Sequence, residues 1–329
     1  QDQRLKLWQQ VDEAQGNGLP KTAVEHLETI RKSAQQDGAD AEALKALGMK
    51  LAIESSLDQP AAPKMIRGLE AALPELPPTM QPLAKGLLAN WYFSYFQQNR
   101  WQFSQRSQTD APPSDDFETW DLKQFLKHVD HLYRDALKAE EALQKISIGE
   151  VAAILTDIPA ADEFRPTLYD FLAFQSLDFY QLDEQIIRQQ GSFQIAAEGP
   201  VFSSLDQFVT WMPETQDEDS YVLQAIKTYQ ALLQFHAQDE NPSARLDADL
   251  QRLEFGNQVA YGSDKTARYE AALQRFADEH QGHSLSSLAL ARLAGSKWAN
   301  KKNKEAHQLA TLGRDRFPES RGAAQCHNL

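Results

Sequence analysis

The sequence predicts an all-α fold, an α-solenoid of helical hairpins that is tetratricopeptide-like in its C-terminal part, and three observations predict it. Leu, Ala, Gln and Glu are abundant while Val is scarce, which favours helix over strand by intrinsic propensity. Apolar residues recur at spacings of three and four along most of the chain. Short breaks marked by Gly or Pro separate these amphipathic segments, as in stacked helix pairs.

Residues 4–14 carry Leu5, Leu7, Trp8 and Val11, a short amphipathic start. GNGLP at 16–20 breaks it, and Pro20 suits the first turn of a second helix running to about 36. That helix presents Ala23, Leu27, Ile30 and Ala34, and Gly38 sits where a C-terminal cap belongs. A third helix at about 40–56 carries Leu44, Leu47, Leu51 and Ala52. A fourth runs from about Pro63 to Leu73 and stops at PELPP, 74–78.

Residues 87–106 then concentrate bulk in Trp91, Tyr92, Phe93, Tyr95, Phe96 and Trp101, with Phe103 close behind. Leu88, Trp91, Tyr92, Tyr95 and Asn99 fall at helical spacing, so one face is expected to bury most of this mass. We read the stretch as core, with a ligand groove as the alternative. A polar loop at about 104–118 follows, holding two prolines and a run of acids. Trp120 is expected to open a long helix to about Lys145, with a stripe through Leu122, Phe125, Leu126, Val129, Leu132, Tyr133, Ala136 and Leu137. PTLYDFLAFQSLDFYQL at 166–182 is apolar almost all round and should be the most buried helix.

Helical periodicity fades at 184–218, where Gly191, Gly199, Pro200 and Pro213 punctuate the chain. We take 1–183 as an N-terminal helical lobe and 184–218 as an irregular connection, with a short strand or hairpin near 193–195 and 208–211. Residues 219–329 form the second lobe, with helices at about 219–237, 243–260, 264–280, 285–300 and 302–316. Leu290, Leu293, Ala294, Ala306, Ala310, Gly313 and Pro318 match the spacing of tetratricopeptide small and large positions. The stub after Pro318 lacks a clearly polar capping helix, and the chain starts at Gln1 without Met, so we expect a fragment of a longer, processed chain.

The net charge of −14 disfavours nucleic acid, whose phosphates need clustered Lys and Arg, and also docking on an anionic membrane. No apolar run approaches the roughly 18 residues of a membrane span, so no direct membrane insertion is expected. The single cysteine, Cys326, can form neither an intramolecular disulfide nor a zinc site by itself, which suits a reducing compartment or a large exported protein equally.

The best metal candidate is His128, His131 and Asp135, which share one edge of a helix. That edge also carries Lys123 and Lys127 and opposes the stripe centred on Val129, so we read it as a solvated polar face. His280 and His283 are expected at a helix end, meeting terminal carbonyls. Asp115–Asp116 and Glu140–Glu141 are read as solvated acids, and KWANKKNK at 297–304, the strongest basic patch, as an inter-helix turn. GxSxG, HExxH, P-loop and GxGxxG motifs are absent from the sequence. We assign no catalytic, cofactor-binding or metal-ligating residue, and no cofactor.

Several blocks together resemble one family. LPKTAVEHLETI at 19–30, NWYFSYFQQNRWQFSQR at 90–106, FETWDLKQF at 117–125 and FRPTLYDFLAFQSLDFY at 164–180 come in its order. LLQFHAQDENPSARLDADLQRLEF at 232–255 and FPESRGAAQCHNL at 317–329 continue the series. The sequence is similar over nearly its whole length to the N-terminal helical region of large bacterial alpha-2-macroglobulin family proteins, of the type seen in Bacteroidetes and Planctomycetes. The resemblance implies an exported parent, in the periplasm, at the cell surface or outside the cell, with macroglobulin-type β domains that trap proteases, often through a thioester. The thioester motif Cys-Gly-Glu-Gln is absent here, so no functional residue of the family carries over.

Three functional readings follow. The first is a non-enzymatic N-terminal module of such a parent, docking on its own downstream domains or on a cell-envelope protein. The second is a free-standing tetratricopeptide-type scaffold that binds peptides. The third, an enzyme, has no constellation of residues behind it.

Overall fold

The computed structural model describes residues 2–57, 61–107, 113–151, 163–181 and 193–328, and these are all-helical with no strand among them. The helices pack in adjacent pairs, the helical-hairpin arrangement read from the sequence. The chain divides into two compact units, Gln1–Ser176 and Leu177–Leu329. No helix among the described residues is long and apolar enough to cross a membrane.

In the first unit α1 (Asp2–Gly16), α2 (Pro20–Gln36), α3 (Asp40–Ser56), α4 (Ala61–Ala72) and α5 (Gln81–Gln98) each pack on the next. Punctuation sets these bounds. Gly38 adopts φ +69°, its N–H reaches the Gln35 carbonyl, and the Ala39 N–H reaches the Ala34 carbonyl. That pair of bonds is a Schellman close, and Gly18 repeats it at the end of α1. Val11, Ala23, Leu27, Ile30, Ala46 and Ile53 form one buried cluster across α1, α2 and α3. Each large aliphatic in it contributes roughly 1.5–3 kcal/mol by leaving water. Arg4 is buried beneath this start of the chain and donates to Glu42 at 2.8 Å and to Asp37. α1 is thereby fastened to α2 and α3 by charge as well as by its thin apolar stripe.

The aromatic stretch is core, along the expected face and beyond it. Leu88, Ala89, Tyr92, Phe93, Tyr95 and Phe96 are buried, while Trp91 is only half-buried. α5 meets α4 on one side and α7 (Leu122–Leu137) on another, so burial spreads beyond a single stripe. The helix then breaks at Asn99, whose side chain donates to the Tyr95 carbonyl, and the short α6 (Arg100–Ser104) turns Trp101 outward at 68% exposure.

The helix expected over 120–145 is shorter. Asp121 caps α7 in a reciprocal box with Gln124, so the helix starts after Trp120 rather than at it. It stops at Leu137, where the apolar stripe gives way to polar residues, and α8 (Glu140–Leu143) re-enters to bury Leu143. After α9 (Ile148–Val151), α10 (Leu168–Tyr180) starts from a second box in which Thr167 and Asp170 bond each other's backbone N–H. α10 is buried on nearly every side, as its composition requires.

In the second unit the expected strands are replaced. Residues 184–192 of that expectation lie outside the described residues. Near 195 there is a single bridge, with the Tyr261 N–H donating to the Ile195 carbonyl and the Ala197 N–H to the Tyr261 carbonyl. At 208–211 the chain instead ends a short helix, α11 (Leu205–Val209). Two arginines hold this irregular stretch down. Arg252, fully buried, donates to the carbonyls of Val201 and Ser203 and pairs with Asp249, its guanidinium 4.7 Å over the Phe208 ring. Arg275 donates to the carbonyls of Phe202 and Ser203. Backbone acceptors that a sheet would have used are thus taken by side chains.

The rest is serial. The order is α12 (Tyr221–Phe235), α13 (Ser243–Val259), α14 (Lys265–Glu279), α15 (Leu285–Ala299), α16 (Asn303–Arg316) and α17 (Arg321–His327). Leu290, Leu293, Ala294, Ala306, Ala310 and Gly313 are buried at the α15–α16 seam. Where no polar cap was expected, α17 packs on α15 and α16 with Ala323 and Cys326 inward and Arg321, Gln325 and His327 outward. Gly322 makes that approach possible, since a Cβ there would stand 2.2 Å from the Leu288 backbone nitrogen.

Candidate interaction groove

Among the described residues a shallow, open concavity lies on three helices of the second unit. α14 and α16 form its walls and α15 its floor, with a volume of about 550 Å³. Its shape comes from side-chain size. Ala267 and Ala271 stand one turn apart on the exposed face of α14, and so small a wall leaves open the space a longer side chain would fill. Leu309 and Leu312 line the opposite wall, and Leu312 keeps 47% of its surface exposed. Leu293 lies beneath.

One end of the groove is charged. Lys297 donates to Glu270 at 2.8 Å and lies 3.3 Å from Glu305. Ser296 also donates to Glu270, at 2.9 Å. Burial alone would push the Glu270 carboxyl up, but the bonds from Lys297 and Ser296 outweigh it and hold the group below the usual carboxylate range. The hydrogen bond to Glu270 raises Lys297 against the opposing effect of burial. Both partners therefore stay ionised through the neutral range. The groove is apolar along its length and fixed in charge at one end, an arrangement suited to holding a side-chain-bearing chain and without a nucleophile or base.

Of the residues singled out from the sequence, Lys297 of the basic patch at 297–304 lines the groove, while the histidine and acid candidates lie elsewhere and do not converge on one site. His128 turns inward from its expected polar edge, its ring edge-on to Tyr92 at 4.9 Å and to Trp120 at 5.0 Å. His131 is exposed, and Asp135 is bonded to Lys138 at 2.6 Å. No three metal-ligating side chains are grouped for an ion among the described residues. Asp116 pairs with Arg67 and caps the turn at Phe117–Thr119, Glu140 accepts from Gln144, and His280 lies edge-on to Phe276. Burial lowers the His280 pKa.

A Ser–His contact that the sequence order did not predict joins Ser243 and His283, with 3.0 Å between Oγ and Nε2. The Leu285 N–H donates to His283 Nδ1, so the neutral ring carries its proton on Nε2 and donates it to Ser243. A ring in that tautomer has no lone pair facing the hydroxyl, and the contact joins the start of α13 to the start of α15.

The groove is not visible in the sequence because its walls are made by exposed and half-buried positions rather than by a core stripe. The available signal was an excess of apolar residues on outward faces, Ala267 and Ala271 on one helix and Leu309 and Leu312 on another. Comparison with protein-family models and with curated proteins finds no match to this chain.

Proposed function

We propose that the chain is a non-enzymatic protein-interaction module that uses the α14–α16 groove to hold a segment of another polypeptide domain. The groove itself carries this reading: small residues on one wall, partly exposed leucines on the other, and a closed ion pair in place of reactive groups. Its volume falls in the range of sites that bury a few side chains. The resemblance to alpha-2-macroglobulin proteins supplies the setting. On that reading the chain is an exported N-terminal module, and its partner is a downstream β domain of the same parent or a protein of the cell envelope. Proteases would be the targets of the parent and not of this module.

The test is calorimetric titration of the chain with macroglobulin-type β domains from the same reading frame. Binding with Kd at or below about 10 μM, lost in Leu312→Asp, is expected. A reading frame without such domains, or binding that Leu312→Asp leaves intact, would refute the assignment.

A further inference from the structure

We infer that the segment held in this groove is an amphipathic peptide whose carboxylates cluster at one end, where they meet Lys301, Lys302 and Lys304 beside Trp298. The inference rests on the interaction-module reading and adds the chemistry of the partner. Its basis is the turn between α15 and α16.

That turn closes as a Schellman motif. The Lys301 N–H donates to the Trp298 carbonyl and the Lys302 N–H to the Lys297 carbonyl, both at 2.9 Å. The two comparable turns, after α1 and α2, place glycine at the left-handed position, Gly18 and Gly38. Here Lys301 occupies it at φ 61°, the one positive-φ residue other than glycine among the described residues. A side chain in that region is strained, because its Cβ crowds the following carbonyl oxygen. Strain of this kind points from an observed outlier towards function, and the function available to this side chain is its charge.

The surroundings agree. Lys301, Lys302 and Lys304 are exposed, and Lys301 and Lys304 have no ion pair among the described residues. Lys304 lies one turn before Gln308 on the α16 wall, and Asn300 and Lys302 lie within reach of Glu270 at the charged end. Lys302 is thereby tied to the charged end of the groove and Lys304 to its α16 wall, and Lys301 precedes them in the same turn. Trp298 is 54% exposed at the same turn and offers an apolar platform that cations flank.

Nucleic acid and lipid headgroups fit less well than a peptide. The net charge of −14 works against a long polyanion, whereas a few carboxylates meet only the local lysines. An apolar floor next to a short cationic rim instead matches apolar side chains followed by a few carboxylates.

The test is fluorescence anisotropy with three labelled synthetic peptides: LALLGDEED, LALLGKKRK and SGSSGDEED. The first should bind the full chain and the other two at least tenfold more weakly. The pair Lys301→Glu and Lys304→Glu should weaken the first at least tenfold and abolish its preference over the second, with thermal unfolding confirming that these exposed changes leave the fold intact. Leu312→Asp should weaken it whatever the salt concentration. If the two leucine-bearing peptides bind alike and only Leu312→Asp matters, the groove reading stands and the acidic-partner inference falls. If none binds up to about 1 mM, or Leu312→Asp has no effect, both fall. Lysine-dependent binding of phosphatidylglycerol vesicles or a single-stranded oligonucleotide, with no binding of LALLGDEED, overturns the peptide partner in favour of that polyanion.

Discussion

Replacing Gly322 by Ala should detach the last helix from the second unit. An added Cβ would stand 2.2 Å from Leu288 N, 2.4 Å from Ser287 C and 2.8 Å from Leu288 Cα. These are backbone atoms of α15, so no rotamer change relieves them, and α17 must move outward by about 1 Å or more. Seven residues cannot keep a helix without packing, so the movement competes with complete release. Release re-exposes Ala323 and Cys326 and uncovers Ala291, Ala294 and Ala310. At about 0.8 kcal/mol per buried methylene equivalent, and with these five side chains regaining roughly half to three-quarters of their surface, the loss comes to about 2–3 kcal/mol. Overpacking without release falls in a similar range, roughly 1–3 kcal/mol.

Cys326 makes the event directly visible. It is the single cysteine, it is buried, and burial raises its thiol pKa against the opposing effect of Arg314. In the native chain a thiol reagent must wait for α17 to open. A loss of about 2–3 kcal/mol in the opening free energy should raise the labelling rate about 30- to 150-fold. The melting temperature of a unit this size should fall by about 5–10 °C. Gly295→Ala is the control, because a Cβ there meets nothing within 4 Å and helix propensity should add about 0.5–1 kcal/mol. Labelling within twofold of the native rate together with an unchanged melting temperature would refute the steric argument.

Three further outcomes are expected. Arg252→Met leaves Asp249 unpaired and the Val201 carbonyl without its donor, while Arg275 still serves the Ser203 carbonyl, and chemical denaturation should show a loss of about 3–5 kcal/mol, partly restored by adding Asp249→Asn; a loss under about 1 kcal/mol would show that water replaces the guanidinium. Lys301→Gly should raise stability by about 1 kcal/mol in thermal unfolding while weakening LALLGDEED, and a gain in both would separate the strain from the proposed role. Glu28 is pushed down to about 2, chiefly by the Arg31 hydrogen bond, against burial and with help from Lys50. Its contribution is full above the ordinary value of 4.5 and is lost as pH falls from there through about 2. After solvent screening it amounts to about 1 kcal/mol, so Glu28→Gln should flatten the acid limb of the stability curve by that amount, and an unchanged limb would contradict it.

Helix positions were legible because their signals are local. Pro20, Gly38 and the breaker after Leu73 act on their own neighbours, and the bounds of α2, α3 and α13–α16 follow from such residues and from the apolar period. The stretch at 193–211 was not legible, because its conformation is set by Arg252 and Arg275, some fifty to seventy residues downstream. Trp101 misled for a similar reason: Asn99 ends α5 before the aromatic period finishes. The groove could not be read at all from burial patterns, since a concavity is defined by what its walls lack.

The distribution of cations gives the groove its meaning. Arg4 is closed by Asp37 and Glu42, Arg31 and Lys50 by Glu28, Arg67 by Asp116 and Glu118, and Arg252 by Asp249. Arg275 and Arg292 go to backbone carbonyls, and Lys297 to two glutamates. In a chain with net charge −14, cations satisfied in this way hold helices together and have little left to offer a partner. Lys301 and Lys304 have no such closure among the described residues: Lys304 stands one turn before Gln308 of the α16 wall, and Lys301 is held at a backbone position glycine would fill more cheaply. A turn selected for stability alone would carry glycine and fewer lysines. This one gives up about 1 kcal/mol and keeps positive charge where the groove opens, as recognition of an acidic segment requires.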